Sequence, residues 1–365
     1  MNGLSRITTL EPLRFLLAMW VMLFHFQLMT TELGIEIADI TLVSSNFVGK
    51  GYFAVPIFWI ISGIVMMHRY KELFEVRKFL IARIARLYPL HLLTLFYVLI
   101  IQLLSIYNIG STLIYKNGLT TLDFILNLFL IHGLGFGNTY SFNAPSWSIS
   151  SEFLAFVFFC YTMRKSSIGI KKSFVLFSVF FFLAIVVAAL SFRLGVDPHR
   201  YSRCLAAIAL FFLGSTIYLS LVKVIPLYLL SIVIIGVTLD ILAIKVEKLY
   251  LLLSINCFFI IPILVPILYL ILRLDLRHKS KSAQSWKNFL GKLSFPIFLT
   301  HVPVQMTIIF FSLSFNFVWN PKVLLGFYIV LVMFISWILN IYFEEPARRF
   351  LKMRLDNISK FGETI

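Results

Sequence analysis

Four short stretches of this chain carry side chains able to do chemistry, and all four lie in strongly apolar surroundings. The first is LEPLRFLLAMWVMLFHF, residues 10–26, which holds Arg14 and His25. Eleven positions is close to three helical turns, so both occupy one helix face, about 16 Å apart along its axis. Arginine supplies a fixed positive charge, and imidazole exchanges protons near neutral pH. The second stretch, RIARLYP (83–89), places Arg83 and Arg86 at i, i+3 on a common face. Two guanidinium forks at that spacing suit phosphate oxygens. The third, PSWSISSEF (145–153), opens with Pro145, which suits a helix start, and sets Ser148 and Glu152 at i, i+4. A carboxylate beside an imidazole would orient the ring and raise its basicity. The fourth, LGKLSFPIFLTHVPV (290–304), puts Ser294 and His301 seven positions apart, again on one face.

Each feature also has a purely structural reading. Arg14 can snorkel and pair with Glu11, and His25 can be a satisfied core histidine. Arg83 and Arg86 can be topology anchors, Glu152 an interfacial carboxylate, and His301 a core residue. Against this stands the expense of an ionisable group in hydrocarbon, which makes such residues functional candidates by default. His68, His91 and His132 read as interfacial, and His199 and His278 as loop residues.

The elements that must position these groups follow from composition. Of 365 residues, 60% are hydrophobic and 13% charged, with a mean hydropathy of +0.94. That excludes a water-soluble domain and defines an all-α polytopic membrane protein. With roughly 20 apolar residues per crossing, about ten spans are expected, near 10–30, 50–68, 84–106, 147–163, 173–191, 203–220, 225–243, 248–272, 289–313 and 321–343. The first lacks a small-residue cleavage site and is expected to stay as a span. The stretch 122–136 is apolar but short and ends in glycines, which suits a re-entrant or interfacial piece within the long loop 107–146. Residues 1–345 then form one transmembrane domain, followed by a basic tail at 346–365.

Most of the 32 basic residues crowd the segments at 69–86, 164–172, 273–292 and 348–360. An even span number with those segments inside places both termini in the cytoplasm. The same distribution at span ends argues against nucleic acid as the partner of the +16 net charge. Cys160, Cys204 and Cys257 have neither a disulfide framework nor ligand spacing and read as small buried hydrophobes.

Taken in order, these stretches resemble the acyltransferase 3 family of integral membrane O-acyltransferases. The family opens with Leu-Asp-x-Leu-Arg and, ten residues later, His, matched by LEPLR and His25 with Glu11 in place of aspartate. IFWIISG, the pair Arg83 and Arg86 with Tyr88 and Pro89, and Trp147-Ser148 with Glu152 match its next motifs. Leu290, Gly291, Ser294 and His301 follow, and FEEPARRF with Glu345 and Pro346 matches its closing motif. Phe15 replaces the small residue common after the motif arginine.

The resemblance implies transfer of an acyl group, usually acetyl from acetyl-CoA, to a hydroxyl of a cell-surface glycan or its lipid-linked precursor, at a bacterial inner membrane. It implies no metal. Arg14, Arg83 and Arg86 would hold the phosphates of cytoplasmic acyl-CoA. His25 would accept the acceptor's proton, or briefly the acyl group, with Glu152 orienting it. Trp147 and Ser148 would meet the acceptor, and Ser294 and His301 would line the passage or help bind the pantetheine arm. Some members carry a further extracytoplasmic hydrolase-like domain, for which this chain is expected to be too short. The alternative is a multi-span transporter of an anionic or acylated small molecule, with Pro56, Pro262 and Pro266 breaking helices around a midplane site.

Overall fold

The structure is a computed structural model, which describes residues 7–36, 46–113, 119–165, 167–223, 227–245, 253, 258–277 and 284–361. Among these the regular structure is helical throughout. The main helices are α1 (Leu10–Glu32), α2 (Ala54–Tyr70), α3 (Val76–Ile109), the short α4 (Thr121–Leu128), α5 (Trp147–Lys165) and α6 (Ile170–Arg193). They continue with α7 (His199–Lys223), α8 (Leu227–Lys245), α9 (Ile261–Arg277), α10 (Gln284–Ser314), α11 (Pro321–Leu339) and α12 (Glu345–Phe361). A π-helical turn, Asn340–Glu344, joins α11 to α12. The basic stretch expected as a tail from 346 is therefore helical as far as Phe361.

Among the described residues, 8 helices are long and apolar enough to cross a membrane. Two of the about ten expected spans account for the difference. α5 is 19 residues long, but Ser148, Ser150, Ser151 and Glu152 crowd its first two turns and dilute its hydropathy. α8 counts as a shorter apolar helix, Leu227–Ala243, among the described residues. The start of the span expected at 248–272 lies largely outside the described residues.

The helices fall into two compact units, one of residues 1–13, 55–74 and 150–288, the other of 14–54, 75–149 and 289–365. In the first, α2 crosses α7 backbone to backbone. A Cβ built on Gly63 would lie 1.8 Å from the Phe211 carbonyl oxygen, and one on Gly214 would lie 1.9 Å from that of Ile60. Small residues at such crossings let helices approach where lipid provides no hydrophobic drive. The glycine of IFWIISG is thus a packing residue. Gly63→Ala is expected to destabilise the fold by about 1–3 kcal/mol, because carbonyl and helix must move apart. Thermal unfolding of the purified variant in detergent checks this, and an unchanged midpoint would show that the crossing yields freely.

Four prolines sit inside helices: Pro89, Pro266, Pro296 and Pro303. Each lacks the N–H that would bind the carbonyl four residues back, which leaves that carbonyl orphaned. In α10 the second unit meets this need with side chains. Pro296 frees the Lys292 carbonyl, which accepts from Asn340 Nδ2 at 3.3 Å. Pro303 frees the Leu299 carbonyl, which accepts from Asn143 Nδ2 at 2.9 Å. Such substitution is what lets proline persist in membrane helices. Asn143→Leu should leave that buried carbonyl unpaired and lower stability by about 1–3 kcal/mol. The same unfolding assay reads it, and a neutral result would mean the α10 carbonyl finds another donor.

The stretch expected as re-entrant or interfacial folds back along α3 within the second unit. α3 ends at Gly110, a left-handed residue with φ 77. α4 starts at its Thr120 cap, whose hydroxyl accepts from the Asp123 N–H at 3.1 Å. The chain then returns so deeply that the Phe129 carbonyl accepts from Tyr88 Oη at 3.1 Å, about 32 Å back from the end of α3 at 1.5 Å per residue. His91 Nε2 donates to the Asn127 carbonyl at 2.8 Å, and the rings of His91 and His132 stack with centroids 6.2 Å apart. His91 and His132, expected near an interface, are both fully buried within the protein, because the returning segment covers the face of α3 that carries His91.

Prolines also bear on the transport alternative. Pro56 and Pro262 stand in the first turns of α2 and α9, where the missing N–H has no intrahelical role. α9 runs on through Pro266. None of the three breaks a helix.

Candidate functional site

The second unit brings His25 and His301 together. α1 carries His25, α10 carries His301, and their ring centroids lie 4.8 Å apart with planes tilted by 58°. His25 Nδ1 is 2.9 Å from the Val21 carbonyl oxygen, and His301 Nδ1 is 3.0 Å from that of Ile297. A carbonyl oxygen only accepts, so in both residues Nδ1 carries a proton, and in the neutral ring Nε2 then keeps its lone pair. Each ring is tied to the helical turn beneath it and presents the same basic atom. His301 is fully buried, and its Nε2 has no hydrogen-bond partner among the described residues.

Neighbouring side chains fix the pair. Gln305, one turn beyond His301 on α10, donates from Nε2 to the His25 carbonyl. Tyr328 of α11, fully buried, donates from Oη to the Met22 and His301 carbonyls at 3.4 Å each. Phe24 meets the His25 ring edge-on with centroids 5.1 Å apart, and Phe298 lies 6.0 Å from His301. With both rings neutral, the arrangement is two imidazoles that each direct an Nε2 lone pair away from the helical turn beneath them. Either can take a proton from a hydroxyl, and the resulting cation has a second imidazole beside it.

The other sequence-derived residues stand as follows. Glu152 belongs to the first unit, where Ser62 donates from Oγ to its Oε1. Arg86 forms an ion pair with Glu344, and its guanidinium lies 4.9 Å from the Phe295 ring centroid. Asn340 Nδ2 donates to the other Glu344 oxygen at 3.2 Å. Arg83 places its guanidinium 6.0 Å from the Phe79 ring centroid, and Arg14 is half-buried on α1. Trp147 meets Tyr140 edge-on at 6.4 Å. The hydroxyls of Ser148 and Ser294 donate to the carbonyls of Pro145 and Gly291, both at 2.9 Å, so their protons are committed to local backbone.

Sequence reasoning missed Glu344, Gln305, Tyr328 and Asn143. For Glu344 a signal existed. FEEPARRF contains two adjacent carboxylates, and the reading chose Glu345. The π turn shifts the register so that Glu344 points inward, with 1% of its side chain exposed, while Glu345 reaches Lys292 at 2.7 Å. Gln305 and Asn143 carried a weaker signal, as amides in or beside apolar helices.

The membrane-length apolar helices define a polytopic membrane protein, and within its second unit two imidazoles meet. A family model describing an acyltransferase domain, acyltransferase 3, matches residues 7–341. The chain belongs to this family of polytopic membrane acyltransferases. No curated protein and no solved structure matches it.

Proposed function

We propose that this membrane acyltransferase moves an acyl group, acetyl above all, from cytoplasmic acyl-CoA to a hydroxyl of a cell-surface glycan or its lipid-linked precursor. The protein would sit in a bacterial inner membrane with both termini in the cytoplasm. The observation that carries this reading is the His25–His301 pair, with both Nε2 lone pairs left available by Nδ1–H bonds to carbonyls. In the proposed step, Nε2 of His25 takes the proton of the acceptor hydroxyl as its oxygen attacks the thioester carbonyl. The C–S bond breaks, CoA leaves as the thiolate, and the imidazolium returns the proton to sulfur. Base assistance of this kind supplies about a hundred- to ten-thousand-fold in rate.

His301 acquires a larger role here than lining a passage: its imidazole lies beside the proton-accepting ring and can share its positive charge. Glu152 remains a second catalytic candidate, held by Ser62. Arg14, Arg83 and Arg86 are proposed as the donor's phosphate contacts, and Trp147 as an aromatic wall for the acceptor. The continuity of the proline-bearing helices and the family assignment both favour this reading over transport.

The test uses purified protein in nanodiscs with radiolabelled acetyl-CoA and a glycan extract from the host. Label moving to the extract supports the proposal. A well-folded protein that neither binds CoA nor transfers label would overturn the donor assignment, and label released only as free acetate would overturn the glycan acceptor.

A further inference from the structure

Where α12 runs beside the start of α3, positive charge exceeds negative. Glu345 accepts from Lys292 at 2.7 Å and from Arg349 at 3.2 Å. Glu344 is taken by Arg86. Arg348 is half-buried between these groups. Its charged neighbours are Arg86, Glu344, Glu345 and Arg349, yet both carboxylates already serve other cations, and Arg348 makes no hydrogen bond or ion pair among the described residues. Glu344 and Glu345 are thus shared among Arg86, Lys292, Arg348 and Arg349, a local excess of positive charge that a further anion would offset. The planar fork of Arg348 matches a phosphate bidentately.

We infer that Arg348, flanked by Lys292 and Arg349, forms a phosphate-binding subsite. The ligand chemistry is a phosphate ester, with two sources: the 3′-phosphate of the CoA donor, or the headgroup of an anionic lipid. The first source rests on the donor reading above; the second does not.

The experiment measures binding of CoA and of 3′-dephospho-CoA to the protein in phosphatidylcholine nanodiscs, and the shift in thermal midpoint when phosphatidylglycerol is added. Wild type, Arg348→Gln and Arg348→Lys are compared. If the donor phosphate is the ligand, wild type binds CoA about tenfold more tightly than dephospho-CoA, the worth of one charge-assisted contact. Arg348→Gln abolishes that preference by weakening CoA alone, and Arg348→Lys keeps part of it. The midpoint without ligand stays level or rises, since no partner is lost. If the lipid is the ligand, the two nucleotides bind alike, and the stabilisation by phosphatidylglycerol disappears in Arg348→Gln. A CoA preference and a lipid response that both survive the substitution, or that wild type never shows, overturn the inference. Wild type binding neither nucleotide defeats the donor reading alone, and the lipid response then decides the subsite.

Discussion

Replacing His25 with alanine should lower acyl transfer by about a hundred- to ten-thousand-fold while CoA binding and folding persist, because it removes the group proposed to take the proton. The ring makes one side-chain hydrogen bond, to its own helix at Val21, and packs against Phe24 and His301, so unfolding of the variant is measured alongside its activity. His301→Ala should also reduce transfer, but less than His25→Ala if it only shares charge. The double variant should be no slower than His25→Ala, since residues acting as a unit are not additive. Initial rates of label transfer, with CoA affinity measured in parallel, separate these outcomes. Undiminished transfer in His25→Ala would remove it from the chemistry. A larger loss in His301→Ala would transfer the role of base to that ring.

The second large effect concerns the pair of Arg86 and Glu344, whose side chains are 18% and 1% exposed. Removing one member of a buried ion pair leaves the other uncompensated and costs about 3–5 kcal/mol. Glu344→Gln is therefore expected to lower the unfolding midpoint sharply. Replacing both residues with leucine should recover much of that loss, because a well-packed apolar pair is often neutral against a buried ion pair. If the double variant is as unstable as the single one, the pair's hydrogen bonds, with Asn340 among them, matter more than its charge. In either case Arg86 reaches a donor phosphate only by leaving Glu344 or by sharing its fork, so Glu344→Gln also reports on the proposed clamp through CoA affinity.

The sequence made the helical class legible because hydrocarbon admits few backbone solutions, and twenty apolar residues are hard to mistake. His25 and His301 were legible as polar intrusions on apolar faces. Their pairing was not, since no periodicity within one helix reports which other helix lies opposite. Ser148 and Ser294 illustrate the reverse limit. A motif places a hydroxyl, but whether it faces a substrate or the carbonyl three residues back depends on a local rotamer. Two deviations from ideal geometry hid the rest. The π turn at Asn340–Glu344 inverted the roles of two adjacent glutamates, and the prolines of α10 created needs that Asn340 and Asn143 fill from distant parts of the chain. The burial of His91 and His132 within the protein was not legible because hydropathy does not register a loop that turns back.

The two helices that form the imidazole pair lie near opposite ends of the polypeptide. Gln305 grips the His25 carbonyl across 280 positions, and Arg86 and Glu344 are 258 apart. At about 5–20 residues per second of synthesis, α1 waits roughly a quarter-minute to a minute in the bilayer before its counterpart is made. Throughout that interval the amide and imidazole partners of the finished site are missing, and α1 must reside among lipids or insertion machinery with its polar face unpaired. A nascent chain stopped before α10 therefore holds His25 without the imidazole and amide that meet it in the finished protein.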